Sequence, residues 1–251
     1  MNQYKSWGIV FVFLFILAAS VADTQSPQIS VYLVGDSTMS EKQVRDYPET
    51  GWGTPFANYF NESVSVENHA RNGRSTRTFL EEGRWEPIVE QLSEGDYVFI
   101  QFGHNDEVPS KEQSTTPDQF QANLEKYVSE TTAQGATPIL LTSIARRKFD
   151  DEGIPVDTHR EYADLTREVA DETGVVFFDM DKTSRRHLSE LGPEQSKFLY
   201  LHLKPGQNPN YPEGIEDDTH FNELGARRMA EMVLQGIREQ NLDLADGIVT
   251  H

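Results

Sequence analysis

Cysteine is absent from the 251 residues of the chain. The protein therefore has no disulfide bonds and no lipid-modified cysteine. Basic residues are also scarce, because 22 Lys and Arg face 41 Asp and Glu and the formal net charge is −19. Such an acidic chain repels phosphate-rich partners, which argues against binding to nucleic acid or to anionic membrane surfaces.

Long apolar runs are missing too, apart from twelve residues near the amino terminus, 8–19. That run is too short to span a membrane comfortably. Lys5 precedes it and Ser20-Val21-Ala22 follows it, an order typical of a secretory signal peptide. We predict a cleaved signal over residues 1–22, with an uncleaved anchor as the alternative. The mature part, 23–251, is then expected to be secreted or periplasmic and not held in a membrane.

The remaining chain has a length that suits one domain, and no repeat, low-complexity tract or linker divides it. Apolar runs predict five strands, at residues 31–34, 64–68, 97–102, 137–141 and 175–178. Helical patterns alternate with them, including one that begins at Pro117, one that begins at Thr158 and one capped by Asn222. Alternating strands and helices predict a parallel sheet covered on both faces, which is a three-layer α/β/α fold.

Polar residues follow three of these strands. Ser37, Gly73 and Asn105 lie in the loops at the carboxyl ends of the first three strands, where open α/β sheets bind ligands. Ser37 is either a nucleophile or an ordinary turn residue, since Gly, Asp and Ser are common in turns. The backbone N–H groups of Ser37 and Gly73, with the Asn105 side chain, could together donate to a developing oxyanion.

A fourth polar segment, Asp217-Asp218-Thr219-His220, is predicted as a loop before the last helix. An aspartate three residues before a histidine can accept from its Nδ1–H, which leaves Nε2 free to take a proton from a serine. We favour Asp217 for this role on its spacing, with Asp218 as the alternative.

Four motifs occur in this order along the chain: Gly35-Asp36-Ser37, Gly73, Gly103-His104-Asn105-Asp106, and Asp217 with His220. In these motifs the chain resembles the SGNH, or GDSL-type, hydrolases, and it lacks the Gly-x-Ser-x-Gly motif of α/β-hydrolases. The resemblance implies a flavodoxin-like parallel five-stranded sheet of order 2-1-3-4-5. It also implies Ser37 as nucleophile, His220 as general base, Asp217 as its orienting residue, and an oxyanion hole from Ser37, Gly73 and Asn105.

Within that superfamily, longer segments are similar to the rhamnogalacturonan acetylesterases. They span nearly the whole mature chain, at residues 35–39, 51–53, 68–70, 73–79, 101–106 and 219–221. The resemblance implies a secreted serine esterase that removes acetyl groups from pectic rhamnogalacturonan through an acetyl-enzyme. The alternatives are an esterase acting on xylan or other acetylated compounds, a lipase-like thioesterase, and a carbohydrate-binding protein that has lost catalysis.

Candidate substrate-binding residues are Arg74, Arg77, Arg146 and Trp52. Guanidinium groups bind carboxylates bidentately, and galacturonic acid carries one carboxylate per residue. The alternative for the arginines is ordinary surface ion pairing, and Trp52 is a candidate aromatic face for a sugar ring.

The remaining polar residues of these motifs are interpreted as structural. His69 and His104 are expected to be hydrogen-bonding residues, and Asp106 is expected to brace its loop. No second histidine stands at metal-ligand spacing, so no metal or other cofactor is expected.

Overall fold

A five-stranded parallel sheet forms the centre of the protein, for which a computed structural model describes residues 29–249. The predicted signal peptide, residues 1–22, lies outside these described residues. The strands are β1 (Ile29–Gly35), β2 (Val64–Asn68), β3 (Tyr97–Gln101), β4 (Thr137–Leu141) and β5 (Val176–Phe178). Their spatial order is β2-β1-β3-β4-β5, which confirms the flavodoxin-like order 2-1-3-4-5.

Both faces of this sheet are buried. Successive side chains of a strand point to opposite faces, and in β1 Val31 and Leu33 pack into one apolar cluster while Tyr32 and Val34 pack into another. Strand β3 is buried along its whole length. It lies between β1 and β4, and its sequence is a nearly continuous apolar run, as expected of a central parallel strand.

Within residues 29–249, seven α-helices cover the sheet: α1 (Gly53–Phe56), α2 (Thr76–Glu81), α3 (Glu86–Val89), α4 (Pro117–Ala133), α5 (Arg160–Thr173), α6 (Met180–Gln195) and α7 (Glu223–Glu239). Short 3₁₀ turns lie at Val44–Asp46, Ala57–Tyr59, Ser196–Leu199 and Asp243–Gly247. The core residues of α1, α6 and α7 belong to one apolar cluster, and those of α2 to α5 belong to the other. The three-layer α/β/α prediction is thus confirmed.

The helix ends follow their local sequence. Thr116 caps α4 ahead of Pro117, and the Asn222 side chain accepts from the N–H of Gly225 at 3.1 Å at the start of α7. Both starts agree with the sequence prediction. The helix predicted from Thr158 begins two residues later, because Thr158 uses its hydroxyl to accept from the N–H of Arg146.

One element contradicts the sequence prediction. Asp217 and His220 lie not in a loop but on a strand, β7 (Ile215–Phe221), which pairs antiparallel with β6 (Tyr200–Leu203). The β7 sequence, Ile-Glu-Asp-Asp-Thr-His-Phe, is mostly polar and half-exposed, so neither alternation nor β-propensity marks it. Pairing with β6 and a hydrogen bond from the N–H of Arg147 to the carbonyl of Asp218 hold it extended.

None of the helices between residues 29 and 249 is both long enough and apolar enough to cross a membrane.

Candidate active site

The turn after β1 presents Ser37 at the carboxyl edge of the sheet. Gly35 lies so close to β3 that a β-carbon there would be 2.6 Å from the carbonyl oxygen of Gln101. Asp36 then fixes the turn, because its carboxylate accepts from the N–H and the hydroxyl of Thr38, each at 2.9 Å. The turn is therefore rigid, and Ser37 is 8% exposed at its surface.

Ser37, His220 and Asp217 form one row of hydrogen bonds. The Ser37 Oγ lies 2.9 Å from Nε2 of His220, and Nδ1 of His220 lies 2.7 Å from Oδ2 of Asp217. The Asp217 carboxylate accepts a hydrogen bond from the Nδ1–H of His220. This hydrogen bond selects the tautomer whose Nε2 can accept from the serine hydroxyl. This is the geometry required to remove a proton from Ser37.

Asp217 is held in place by the backbone beside it. Its Oδ1 accepts from the N–H of Thr219 at 2.7 Å and from the N–H of His220 at 3.0 Å. Burial opposes ionisation of this carboxyl, but the hydrogen bond and charge of His220 and the two N–H donors outweigh it. They lower the pKa of Asp217 to about 2, so the residue is a carboxylate at neutral pH.

Asp218 does not share this arrangement. Its Oδ1 lies 2.6 Å from Nη1 of Arg147 and 2.7 Å from Nε2 of His202. Neighbouring residues of a strand point to opposite sides, so Asp217 and Asp218 cannot both face His220. The structure pairs His220 with Asp217, the residue favoured on sequence spacing.

The loop after β2 brings Gly73 beside the Ser37 turn. The N–H of Arg71 donates to the carbonyl of Gly35 at 2.9 Å, and the Ser40 hydroxyl donates to Oδ1 of Asn72 at 2.5 Å. Gly73 has φ +75°, a left-handed conformation that favours glycine, and a β-carbon there would meet nothing within 4 Å. The space in front of its backbone is therefore open.

Lys42 joins the two loops. Its ammonium group donates to the carbonyl of Ser37 and to Oδ1 of Asn72, both at 2.6 Å, and pairs with Glu49 at 2.7 Å. Only 5% of this side chain is exposed, and burial lowers the pKa of its ammonium group. The residue fixes the Ser37 turn against the Gly73 loop, and the sequence carries no signal of this role.

Asn105 follows β3 and approaches the same place from the other side. Its Nδ2 donates to the carbonyl of Arg74 at 3.0 Å, and its Oδ1 accepts from Nζ of Lys111 at 2.9 Å. An acceptor at one end and a donor at the other fix the amide orientation. One Nδ2 hydrogen remains available, and within residues 29–249 the N–H groups of Ser37 and Gly73 also make no hydrogen bond. These are the three donors predicted for an oxyanion hole.

The loop that carries Asn105 is braced on both sides. Nδ1 of His104 lies 3.2 Å from Oδ2 of Asp36, and its Nε2 lies 3.1 Å from the carbonyl of Ile144. Asp106 accepts from the N–H and the hydroxyl of Thr76. Both residues are buried, as the structural roles predicted for them require. Burial raises the pKa of Asp106 to about 7, whereas His104 and Thr38 outweigh burial at Asp36 and lower its pKa to about 2.

The predicted substrate contact of Trp52 is wrong. Its side chain is fully buried and its Nε1 donates to Oε1 of Gln101 at 2.8 Å, so it offers no face to a sugar. Its ring instead packs edge-on against Phe56. Burial against β1 and β3 depends on the path of the whole chain, which the local motif does not reveal.

The three candidate arginines lie near the site but are paired. Arg74 contacts Glu82 at 2.9 Å and Arg77 contacts Glu81 at 2.7 Å, and both arginines line a cleft of about 240 Å³ beside Gly73. Arg146 contacts Glu107 at 2.8 Å and donates to the Thr219 hydroxyl at 3.1 Å, next to His220. Arg74 and Arg77 thus have the ion-pair partners that the alternative interpretation expects.

Among the described residues, no group of three or more His, Cys, Asp or Glu side chains is arranged to hold a metal ion.

Comparison with known proteins shows the family of this chain. Residues 33–228 match the GDSL-like lipase/acylhydrolase family. The chain is 42% identical over 224 residues to the rhamnogalacturonan acetylesterase RhgT of Bacillus subtilis (strain 168), covering 88% of this chain and 95% of that protein. It is also 33% identical over 225 residues to a probable rhamnogalacturonan acetylesterase, YesY, of the same strain, covering 87% and 97%.

Two solved structures share the fold. The YxiM protein of Bacillus subtilis superposes with a TM-score of 0.75 at 26% identity, over 86% of this chain and 58% of that one. An acetylxylan esterase from Geobacillus stearothermophilus superposes with a TM-score of 0.58 at 20% identity, over 85% and 96%.

Proposed function

This chain belongs to the GDSL-like lipase/acylhydrolase family and is a carboxylic ester hydrolase, and we propose that it is a secreted enzyme that removes acetyl groups from rhamnogalacturonan. The observation that carries the proposal is the row of hydrogen bonds from Ser37 through His220 to Asp217. It lies beside three donors whose hydrogens are free to bind an oxyanion.

The proposed reaction has two halves. Ser37 Oγ attacks the acetyl carbonyl while Nε2 of His220 takes its proton, and the Asp217 carboxylate stabilises the imidazolium that forms. The N–H groups of Ser37 and Gly73 and Nδ2 of Asn105 bind the oxyanion of the tetrahedral intermediate. The bond from the acetyl carbon to the sugar oxygen then breaks, His220 protonates that oxygen, and the sugar leaves as an alcohol with Ser37 acetylated.

A water molecule completes the cycle. It attacks the acetyl group on Ser37 while Nε2 of His220 takes its proton, through a second tetrahedral intermediate in the same oxyanion hole. Return of the proton to Ser37 Oγ releases acetate and restores the free enzyme.

The choice of a short acyl group and a carbohydrate is supported by two clefts near the proposed site. The clefts at Gly73 and at Arg146 are lined mainly by charged and polar residues, which suit a hydroxylated ligand better than an acyl chain. The rhamnogalacturonan substrate is supported by the name of the 42% identical relative. The acetylxylan esterase is 20% identical and shares only the fold with this chain, so it supports acetylated xylan less than the relative supports rhamnogalacturonan.

Secretion is supported by the sequence of residues 1–22 alone, with its positive residue, apolar run and small-residue end. Amino-terminal sequencing of the protein recovered from the culture medium of its host tests this, and a protein that retains residues 1–22 inside the cell would contradict it.

The test of the proposed activity is acetate release from a panel of polysaccharides. Acetylated rhamnogalacturonan, acetylated xylan and acetylated mannan are compared at equal acetyl concentration, with Ser37→Ala as the inactive control. We expect kcat/KM to be highest on rhamnogalacturonan. Equal or higher values on xylan would contradict the proposed substrate, and equal release by Ser37→Ala would contradict the proposed nucleophile.

A further inference from the structure

A second cleft lies near the proposed active site. It has a volume of about 520 Å³, and we refer to it as the Arg146 cleft after a residue that it shares with the site. Lys111, on one wall, donates to the Asn105 amide at 2.9 Å, and Arg146, on another, donates to Thr219 beside His220. Two residues that line the cleft therefore contact the proposed oxyanion donor Asn105 and the neighbour of His220.

The cleft carries positive charge that the rest of the protein does not neutralise. Its Glu107 is already paired, with Arg146 at 2.8 Å and with Nδ1 of His159 at 2.8 Å. Burial opposes the charged form of Glu107, but these partners outweigh it and lower the pKa of its carboxyl. Within residues 29–249, Lys111 and Arg160 form no ion pair with a carboxylate, and Glu161 is the only other acid on the wall.

This balance is unusual for the molecule. Three cations and two carboxylates leave the cleft at +1, whereas the whole chain has a formal net charge of −19. In a chain with 41 acids, Arg160 has no carboxylate partner within residues 29–249. Its guanidinium group is therefore available for an anionic ligand.

Arg160 stands where helix stability does not explain it. It is the first residue of α5, next to the positive end of the helix dipole, where a cation is unfavourable. The preceding residue, His159, makes no side-chain cap, so the N–H groups of the first turn also point their positive ends outward. A bound carboxylate would satisfy both the guanidinium group and this end of the helix.

We propose that the Arg146 cleft is a subsite for the carboxylate of a galacturonate residue of the same polymer chain, bound by Arg160 and Lys111. The inference rests on the proposed function and deepens it, because it gives a physical reason for preferring a uronate-containing polymer. A neutral xylose backbone offers no carboxylate to this subsite. Arg74 and Arg77, two of the candidates for substrate binding from the sequence, are occupied by Glu82 and Glu81.

The first test uses Arg160→Gln and Arg160→Glu. Their KM values are measured on acetylated rhamnogalacturonan oligosaccharides and on p-nitrophenyl acetate, which has no carboxylate. We expect the ratio of the first KM to the second to rise by about two- to fivefold in Arg160→Gln, as for one exposed ion pair, and by more in Arg160→Glu. In 1 M NaCl, where the Debye length is about 3 Å, the difference from wild type is expected to disappear.

Arg186→Gln and Arg186→Glu are the matched controls. Arg186 is an exposed arginine of α6 that lies outside the cleft and forms no ion pair within the described residues. Both controls should keep the wild-type ratio. A ratio that rises equally in Arg186→Glu would show a general effect of net charge and would overturn the subsite.

The second test separates the subsite from the proposed activity. Oligogalacturonides without acetyl groups are added as inhibitors of p-nitrophenyl acetate hydrolysis. Weaker inhibition of Arg160→Glu than of Arg186→Glu supports the subsite, even if the wild-type enzyme releases no acetate from rhamnogalacturonan and the proposed substrate is wrong. Equal inhibition of both variants, in an enzyme that does release acetate, overturns the subsite and leaves the proposed function standing.

Discussion

Replacing Asp217 by Asn tests whether this carboxylate controls the proton on His220. The substitution keeps the size and shape of the side chain and changes only one oxygen to an NH₂ group. Oδ1 of Asp217 accepts from two backbone N–H groups, at 2.7 and 3.0 Å. These donors require an oxygen, so the asparagine must place its NH₂ group at the Oδ2 position, 2.7 Å from Nδ1 of His220.

The consequence is a change of tautomer. An NH₂ group facing Nδ1 makes that nitrogen an acceptor and moves the ring proton to Nε2, which then faces Ser37 Oγ at 2.9 Å as a donor. His220 can no longer take the serine proton. Loss of the correct tautomer in a Ser-His-Asp site lowers kcat by about 10⁴-fold, which corresponds to about 5.5 kcal/mol of transition-state stabilisation.

The assay is the hydrolysis of p-nitrophenyl acetate, with far-UV circular dichroism to show that each variant is folded. Asp218→Asn is the matched control, because it makes the same chemical change at the neighbouring residue, whose partners are Arg147 and His202. We expect less than threefold loss of kcat in the control. An Asp217→Asn enzyme within tenfold of wild type, or an Asp218→Asn enzyme that is the weaker of the two, would refute this reasoning.

Three further expectations follow from the same geometry. Ser37→Ala should lose kcat by several orders of magnitude and should no longer be labelled by an organophosphorus reagent; stoichiometric labelling of the variant would show another nucleophile. Asn105→Ala removes one oxyanion donor and should lower kcat by about 10²–10³ with little change in KM; a rise in KM at constant kcat would make Asn105 a substrate-binding residue instead. Asp36 and Asp217 have pKa values of about 2 in the folded protein and about 3.9 when unfolded. Because the unfolded chain takes up these protons first, the stabilisation is complete above about pH 5 and is lost as the pH falls towards about 2; a Tm that stays constant over that range would contradict this.

Short stretches of sequence predict much of the fold. The apolar runs around Val31–Val34 and over β3 are long enough to mark buried parallel strands, and Pro117 and Asn222 mark helix starts by local chemistry. The sequence also predicts Ser37 and His220 as site residues. The position of Ser37 after a strand and the motifs around both residues can be recognised without any knowledge of packing. The spacing of Asp217 to His220 is likewise local, since the two residues are three apart.

Other features were decided by contacts between distant parts of the chain. The β6–β7 hairpin was missed because its second strand is polar and extended only through pairing. Trp52 looks like a sugar-binding aromatic in sequence, but the approach of β1 and β3 buries it against Gln101. Whether an arginine is free of ion pairs also depends on the fold, because an acid from any part of the chain can lie within reach of its side chain.

The clefts themselves follow from that same long-range geometry. Lys42 bridges Ser37 and Asn72, which are 35 positions apart, and Lys111 and Arg160 line one cleft although 49 positions separate them in the chain. The sequence alone thus determined the sheet, the proposed nucleophile and the histidine–aspartate pair, since each depends on neighbours along the chain. Only the tertiary structure decided which cations remain unpaired at the site, since an ion pair forms between whichever charges the fold brings within about 4 Å.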